Sequence, residues 1–193
     1  MCNRYRVSAA QRELAARYQI ELPFPPDEQA PPPELFPKRP AWVVRQEGDG
    51  RVLDVMSWGV PLQIGGGPPK PVTNVRNLSS PFWRSMLAKP ERRCLVPFTE
   101  FCEWEGEKGK KVERWFSVPS QPITSFAGIW RPTEEGRVFA FLTTEPNPLV
   151  APIHPKAMPV LLAQEDERRW LEAGWDEAAE LVQPFPSQLM RVE

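Results

Sequence analysis

Short runs of β-branched and aromatic residues, separated by polar or turn-forming ones, recur along most of the chain. AWVVRQ and RVLDVMSW flank a Glu47–Gly50 turn (EGDG), as two strands of a hairpin would. CLVPFTEFCEW, RWFSV, SFAGIW, RVFAFLTT and MPVLLA read as further strands. Helical periodicity is confined to a few places. Ser8 with Gln11 forms a capping-box pattern that predicts a helix over 8–18, with Leu14 and Tyr18 on its buried face. Ser80 as cap and Pro81 at the first helical position open a second helix, SPFWRSMLA. QEDERRWLEA, stopped by Gly174, and a segment near Asp176–Val182 complete the set. Many strands, few helices and no βαβ alternation predict an α+β fold. It is expected to be one domain over 1–193, a mainly antiparallel twisted sheet or open barrel with a few peripheral helices.

One segment breaks the pattern. Residues 23–40 hold eight prolines, which lack an N–H and fix φ, so neither helix nor central strand is possible there. The reading is a proline-rich surface wrap, anchored by Phe24, Leu35 and Phe36.

Composition narrows the class. No window reaches the ~18 apolar residues of a membrane span, and MCNRYRV lacks the apolar stretch of a secretory signal. Three cysteines without a CxxC pair argue against a disulfide framework and a zinc site, and point to a reduced, cytoplasmic compartment. No cofactor or metal is expected. The formal net charge of −1 hides an asymmetry: residues 1–20 carry Arg4, Arg6, Arg12 and Arg17 against Glu13, while the last thirty are acid-heavy. A local basic surface matters more for nucleic-acid affinity than the total.

Several residues carry candidate chemistry. Cys2 becomes the N-terminal residue once Met1 is removed, placing a free α-amine beside a thiol. Such an amine condenses with aldehydes, and a thiol on the same residue closes the resulting imine to a thiazolidine intramolecularly. His154, the only histidine, lies between Pro152 and Pro155 in a loop suited to hold a proton-transfer group. Glu103 lies in an apolar strand, where burial raises a carboxyl's pKa; alternation leaves Glu100 and Glu105 as equal candidates for the inward position. Asn74 and Arg76 share a face if extended, an amide to orient a reacting group and a guanidinium to hold phosphate. Most of the eight tryptophans are expected in the core, with Trp58, in the SWG turn, exposed as a stacking platform.

MCNRY at the terminus, NVR, RCLVPFTEFCEW, FAGIW, TTEPN and IHPKAMPVLL, in that order, resemble the SRAP (SOS response-associated peptidase) family from Cys2 to about Leu162. The resemblance implies a monomer that senses abasic sites in single-stranded DNA. In that light Cys2 matches the crosslinking residue, and Asn74 positions its amine and the sugar. Glu103, rather than Glu100 or Glu105, assists ring opening, and His154 exchanges protons with the sugar oxygen. Arg4 and Arg76, with Arg84 and Trp58, would contact the strand. The chain departs from the family pattern at Asn3, where glycine is usual, at Asn77-Leu78-Ser79, and at Val60-Pro61-Leu62-Gln63, which lacks a family tryptophan. Two other functions fit the same residues: a Cys-dependent peptidase using Cys2, His154 and Glu103, and a non-covalent single-strand binder.

Overall fold

The structure, a computed structural model, describes residues 2–21, 25, 29–63, 65–107 and 109–193. Strand β1 (Tyr5–Arg6) is followed by helix α1 (Gln11–Tyr18) and the short β2 (Glu34–Leu35). The hairpin of β3 (Pro40–Glu47) and β4 (Gly50–Trp58) leads into β5 (Val60–Leu62), β6 (Lys70–Val72) and β7 (Asn74–Val75). After α2 (Pro81–Leu87) come β8 (Arg93–Phe98), β9 (Glu100–Glu105), β10 (Val112–Ser117), β11 (Thr124–Thr133) and β12 (Gly136–Thr144). Then follow β13 (Met158–Pro159), β14 (Leu161–Leu162), α3 (Glu167–Glu172), α4 (Trp175–Ala179) and β15 (Arg191–Val192).

Five strands close into a barrel: β12 pairs with β4, β4 with β3, β3 with β8, β8 with β11, and β11 returns to β12. Only β12 with β4 is parallel in this ring. The α+β, mainly antiparallel architecture matches the expectation, and the sheet closes because β12 is paired on both edges. Along its length it meets β11 on one side, and on the other β4 through Val138 and Phe139, then β7 through Phe141 and Leu142. Packing inside is tight: a Cβ at Gly128 would stand 2.8 Å from both Cys94 Sγ and Val96 Cγ2, so glycine alone fits there.

The chain leaves the barrel at Thr99, between β8 and β9, so CLVPFTEFCEW is two strands in two sheets. The second sheet runs β15-β10-β9-β1-β2, antiparallel throughout. Tyr5, Leu35, Phe101 and Phe116, aligned in register, form its buried face. There Tyr5 packs edge-on against Trp58 (centroids 5.1 Å), while Phe98 stacks on Phe126 at 3.9 Å and Phe126 on Phe141 at 4.5 Å. The aromatic residues of the two sheets thus share one core.

Two buried charged groups fasten the helices. Glu167 is fully buried and accepts from Arg17 Nη2 at 2.7 Å, Arg17 Nη1 at 3.2 Å and Ser125 Oγ at 2.6 Å. Tyr18 Oη, 2.8 Å from that hydroxyl, is then its donor, and Arg51 adds an ion pair at 3.5 Å. Arg93 donates to the carbonyls of Leu87, Trp170 and Ala173, satisfying the C-terminal ends of α2 and α3.

Some local expectations change. Helix α1 begins at Gln11, and the Ser8 N–H, which a capping box would give to Gln11, goes to Thr99 Oγ1 at 3.1 Å. Glu13 Oε2 instead accepts the Ala10 N–H at 2.6 Å, half of a capping box, since alanine has no side-chain acceptor. Ser80 and Pro81 start α2 as expected, but the Ser80 hydroxyl makes no capping bond. Gly174 caps the start of α4, and Ala173 ends α3. In the proline-rich segment Leu35 is buried, Phe36 is 44% exposed and anchors nothing in the core, and Phe24 lies outside the described residues.

Arg17→Ala removes the two closest cationic donors of buried Glu167, leaving Arg51 at 3.5 Å and Ser125, and is expected to cost about 3 kcal/mol, read as a lowered urea midpoint. Arg168→Ala, at an exposed pair with Glu172, should leave the midpoint unchanged. Equal midpoints for the two variants would remove the structural role given to Glu167.

Candidate functional site

Cys2 leads into β1 and is buried, 1% exposed. Its carbonyl accepts a hydrogen bond from Asn74 Nδ2 at 3.0 Å, and the other Nδ2 proton goes to Thr73 Oγ1 at 2.8 Å. Asn74 itself is held by the barrel, since β7 pairs in parallel with β12, Asn74 opposite Phe141. The approach to β7 depends on Gly59. Its φ is +133°, and a Cβ there would lie 2.7 Å from Pro71 Cβ, so the hairpin of β5 and β6 folds back only over a glycine. Its N–H donates to Phe139 O at 2.8 Å, and the Trp58 indole N–H donates to Thr73 O at 3.1 Å, fixing the residue before Asn74.

Of the three acids on β9, Glu103 is the buried one, at 3%, while Glu100 and Glu105 are half-buried. Burial pushes its carboxyl up to about 7, against the pull of the positive charge at the chain's amino end. The Cys2 thiol is raised as well, by burial and then by the charge of Glu103. Among the described residues five buried side-chain polar atoms have no hydrogen-bond partner: Asn74 Oδ1 and Glu103 Oε1, with Tyr5 Oη, Trp130 Nε1 and Arg131 Nε. Such groups are costly in a folded protein, and the two acceptors signal something left to receive.

His154 is half-buried on the loop between β12 and β13. Burial and the same positive chain end hold its imidazole below the usual range, so it is neutral at pH 7. Nδ1 lies 2.8 Å from Ala157 O and 3.3 Å from Ala157 N; a carbonyl can only accept, so the shorter contact corresponds to the Nδ1–H tautomer. Asn147, unremarked in the sequence reading, shapes this loop. Its Oδ1 accepts from Leu149 and Val150, its Nδ2 donates to Phe185 O at 2.7 Å, and Val150 O then receives the His154 N–H at 2.8 Å. Its signal was TTEPN, where an asparagine after proline suits a turn. Asn74 touches Cys2 directly, and the charge of Glu103 acts on the Cys2 thiol, so β7 and β9 both bring a polar side chain to residue 2.

The residues expected to contact a strand are more dispersed. Trp58 is fully buried, stacked on Phe139 and Phe141 and edge-on to Tyr5, so it is a core residue and not an exposed platform. The turn-like SWG misled because strand β4 carries Trp58 inward before the chain turns at Gly59. Arg76 is exposed, whereas Asn74 is buried; β7 ends at Val75, and the two do not share a face. Arg84 is exposed on α2, which packs on β11. Arg4 projects onto the outer face of the second sheet. There its guanidinium lies 5.5 Å from the Phe36 ring, 5.9 Å from Trp104 and 5.0 Å from Trp115, with Arg6 3.6 Å over Trp115. Phe36 and Trp104, 44% and 41% exposed, are the aromatic surface that sequence reasoning missed. The alternation in EFCEWE held the signal, since an inward Glu103 turns Trp104 outward. Asn3 is exposed with an ordinary backbone, so it neither fills the site nor needs a glycine conformation.

Among the described residues no group of three or more His, Cys, Asp or Glu is arranged to hold a metal ion, and no helix is long and apolar enough to cross a membrane.

The profile of a family described as SOS response associated peptidase (SRAP) matches residues 1–193. The chain is 26% identical over 183 residues to a Bacillus subtilis protein named abasic site processing protein YoaM, covering 89% of this chain and 79% of that one. It is 26% identical over 204 residues to abasic site processing protein YoqW of the same organism, covering 98% and 90%. A solved structure from Bacteroides thetaiotaomicron superposes with a TM-score of 0.81 at 25% identity, covering 99% of this chain and 90% of that one. One from Bordetella bronchiseptica gives 0.80 at 20%, covering 99% and 98%, a likeness of fold.

The raised Glu103 pKa has a measurable consequence. The carboxyl ionises near 4.5 in the unfolded chain and near 7 in the folded one, so the unfolded chain sheds this proton first as pH rises. Its contribution to stability is full below 4.5 and is lost by pH 7, by on the order of 3 kcal/mol. Glu103→Gln should therefore gain on the wild type across that window, read as a urea-midpoint difference that grows with pH and then levels. A difference independent of pH would mean the carboxyl is unperturbed.

Proposed function

The chain belongs to the SOS response-associated peptidase (SRAP) family, and from that premise we propose that it captures abasic sites in single-stranded DNA by bonding covalently to them through Cys2. The observation that carries this reading is the setting of residue 2. Asn74 holds its carbonyl, and two buried acceptors, Asn74 Oδ1 and Glu103 Oε1, have no partner among the described residues. Removal of Met1 creates an α-amine on Cys2 whose hydrogens suit those acceptors. The names of the two Bacillus subtilis relatives support the substrate class.

The chemistry follows from the groups present. An abasic sugar in its open form carries an aldehyde at C1′. The Cys2 amine adds to that carbon, and loss of one water leaves a Schiff base. Glu103, with a pKa of about 7, is part protonated at neutral pH and can both give a proton to the departing oxygen and take one back. Neutral His154 accepts the proton released by the attacking amine. Cys2 Sγ then adds to the imine carbon, its proton passing to the nitrogen, and a thiazolidine ring closes. Because thiol and imine share one residue, this closure enjoys an effective molarity on the order of 10⁵ M or more.

The raised Cys2 thiol pKa argues against a thiolate peptidase. Such enzymes depress that pKa, whereas here burial and the charge of Glu103 raise it.

Protein lacking Met1, mixed with a single-stranded oligonucleotide bearing one abasic site, should give a band stable to heat and SDS. Cys2→Ala keeps the amine but loses the thiol, so its adduct should survive only after borohydride reduction. A wild type that never shifts overturns the proposal, and an equally stable Cys2→Ala band overturns the thiazolidine. Asn74→Ala frees residue 2 from the barrel and should slow wild-type capture about a hundredfold, the usual effect of a displacement near 1 Å, in single-turnover gels.

A further inference from the structure

On the outer face of the second sheet, Arg4 is already engaged. Its Nε donates to Glu34 Oε1 and its Nη1 to Glu113 Oε1, the latter at 2.5 Å. The other oxygen of Glu34 lies 3.5 Å from Arg6 Nη2, and Glu100 lies 3.6 Å from Arg6 Nη1. The second oxygen of Glu113 is held by the Trp115 indole N–H at 3.2 Å. Glu34 and Glu113 are therefore each positioned by more than one donor, and each comes from a paired strand, Glu34 from β2 and Glu113 from β10. Oxygens set at the edge of a guanidinium also describe how arginine takes a phosphate.

The surroundings suit a single strand. Phe36, Trp104 and Trp115 surround the Arg4 guanidinium, and Phe36 and Trp104 remain 44% and 41% exposed. Stacking on aromatic rings is how proteins hold unpaired bases without reading their sequence. The electrostatics oppose it. Arg4 and Arg6 stand against Glu34, Glu100 and Glu113, which leaves one negative charge over. Counterion release by cationic groups supplies most of the affinity for undamaged nucleic acid, and this surface has been deprived of it.

We propose that Glu34 and Glu113 are specificity-determining residues, holding the phosphate positions of Arg4 so that an intact strand docks only briefly and retention requires the covalent bond at Cys2. The proposal rests on reading Cys2 as the capturing residue. An arriving phosphate displaces one anion from Arg4 and leaves another beside it, so the exchange gains little. A strand whose aldehyde reaches Cys2 stays through its new bond; an intact strand leaves.

Fluorescence anisotropy with an intact, labelled single-stranded oligonucleotide on the full chain tests this, with circular dichroism to confirm folding. Glu34→Gln with Glu113→Gln should tighten binding about tenfold and steepen its salt dependence, as expected for one or two recovered phosphate contacts. Glu134→Gln with Glu135→Gln makes the same change of charge on the exposed turn between β11 and β12 and should stay near wild type. Adding Arg4→Gln to the first pair should abolish the gain. The inference is overturned if the Glu34, Glu113 variant binds like wild type, if the control pair gains equally, or if the gain survives without Arg4. An abasic strand in a parallel denaturing gel reports on Cys2 separately: loss of the wild-type band refutes capture, while anisotropy on intact strand still decides the role of the two glutamates.

Discussion

One hydrogen bond, from Asn74 Nδ2 to the carbonyl of Cys2, joins the start of the chain to the barrel. Without it, residue 2 would be held by its burial in the core, the Cys102 N–H bond to Arg4 O at 2.9 Å, and the pairing of Tyr5 and Arg6 with β9 and β2. For Asn74 to reach it, β7 must lie along β12, the β5–β6 hairpin must fold back over Gly59, and β12 must be held on its other edge by β11. Barrel closure and the placing of residue 2 are in this sense one constraint. The same arrangement brings Glu103 inward on β9, because Phe101 and Tyr5, in register, seat the second sheet on the barrel's aromatic core.

Polar groups inside the molecule fall into two kinds. Glu167, Arg93 and Asn147 are buried with their hydrogen-bonding capacity used, and each fastens a segment: α1 to α3, two helix ends, and the loop that carries His154. Asn74 Oδ1 and Glu103 Oε1 are buried with theirs unused among the described residues. Tyr5 Oη, Trp130 Nε1 and Arg131 Nε share that state, so what marks Asn74 and Glu103 as the site is their place beside Cys2. A carboxyl without a partner is disfavoured as an anion, which raises its pKa toward neutrality and gives it the proton affinity that exchange with a sugar oxygen requires. Scaffold rigidity therefore supports a locally unfavourable arrangement around residue 2.

Much of the fold was legible in the chain. AWVVRQ and RVLDVMSW lie where β3 and β4 run, and Leu14 and Tyr18 face the core from α1. Closure of the sheet was not legible, because alternation reports which face a residue takes but not which edges meet. Trp58 was misplaced for a related reason: a tryptophan before glycine looks like a turn, yet the strand carries it fully inward. Cys2 and Asn74 stood out as chemistry, but their contact joins residues far apart in sequence. Glu103 could be told from Glu100 and Glu105 by family resemblance and not by pattern, and only strand register turns it inward and Trp104 outward. The Arg4 ion pairs unite three strands, and nothing local announces them.

The central claim is that residue 2 supplies both atoms that bond to the sugar. Tandem mass spectrometry of the nuclease-trimmed adduct, after treatment with iodoacetamide, tests it most directly. The account predicts a sugar remnant on a peptide beginning at Cys2, with Met1 absent, one water lost, and no alkylation of that residue's sulfur. A remnant on a lysine, a retained Met1, or an alkylated Cys2 sulfur in the adduct would contradict it.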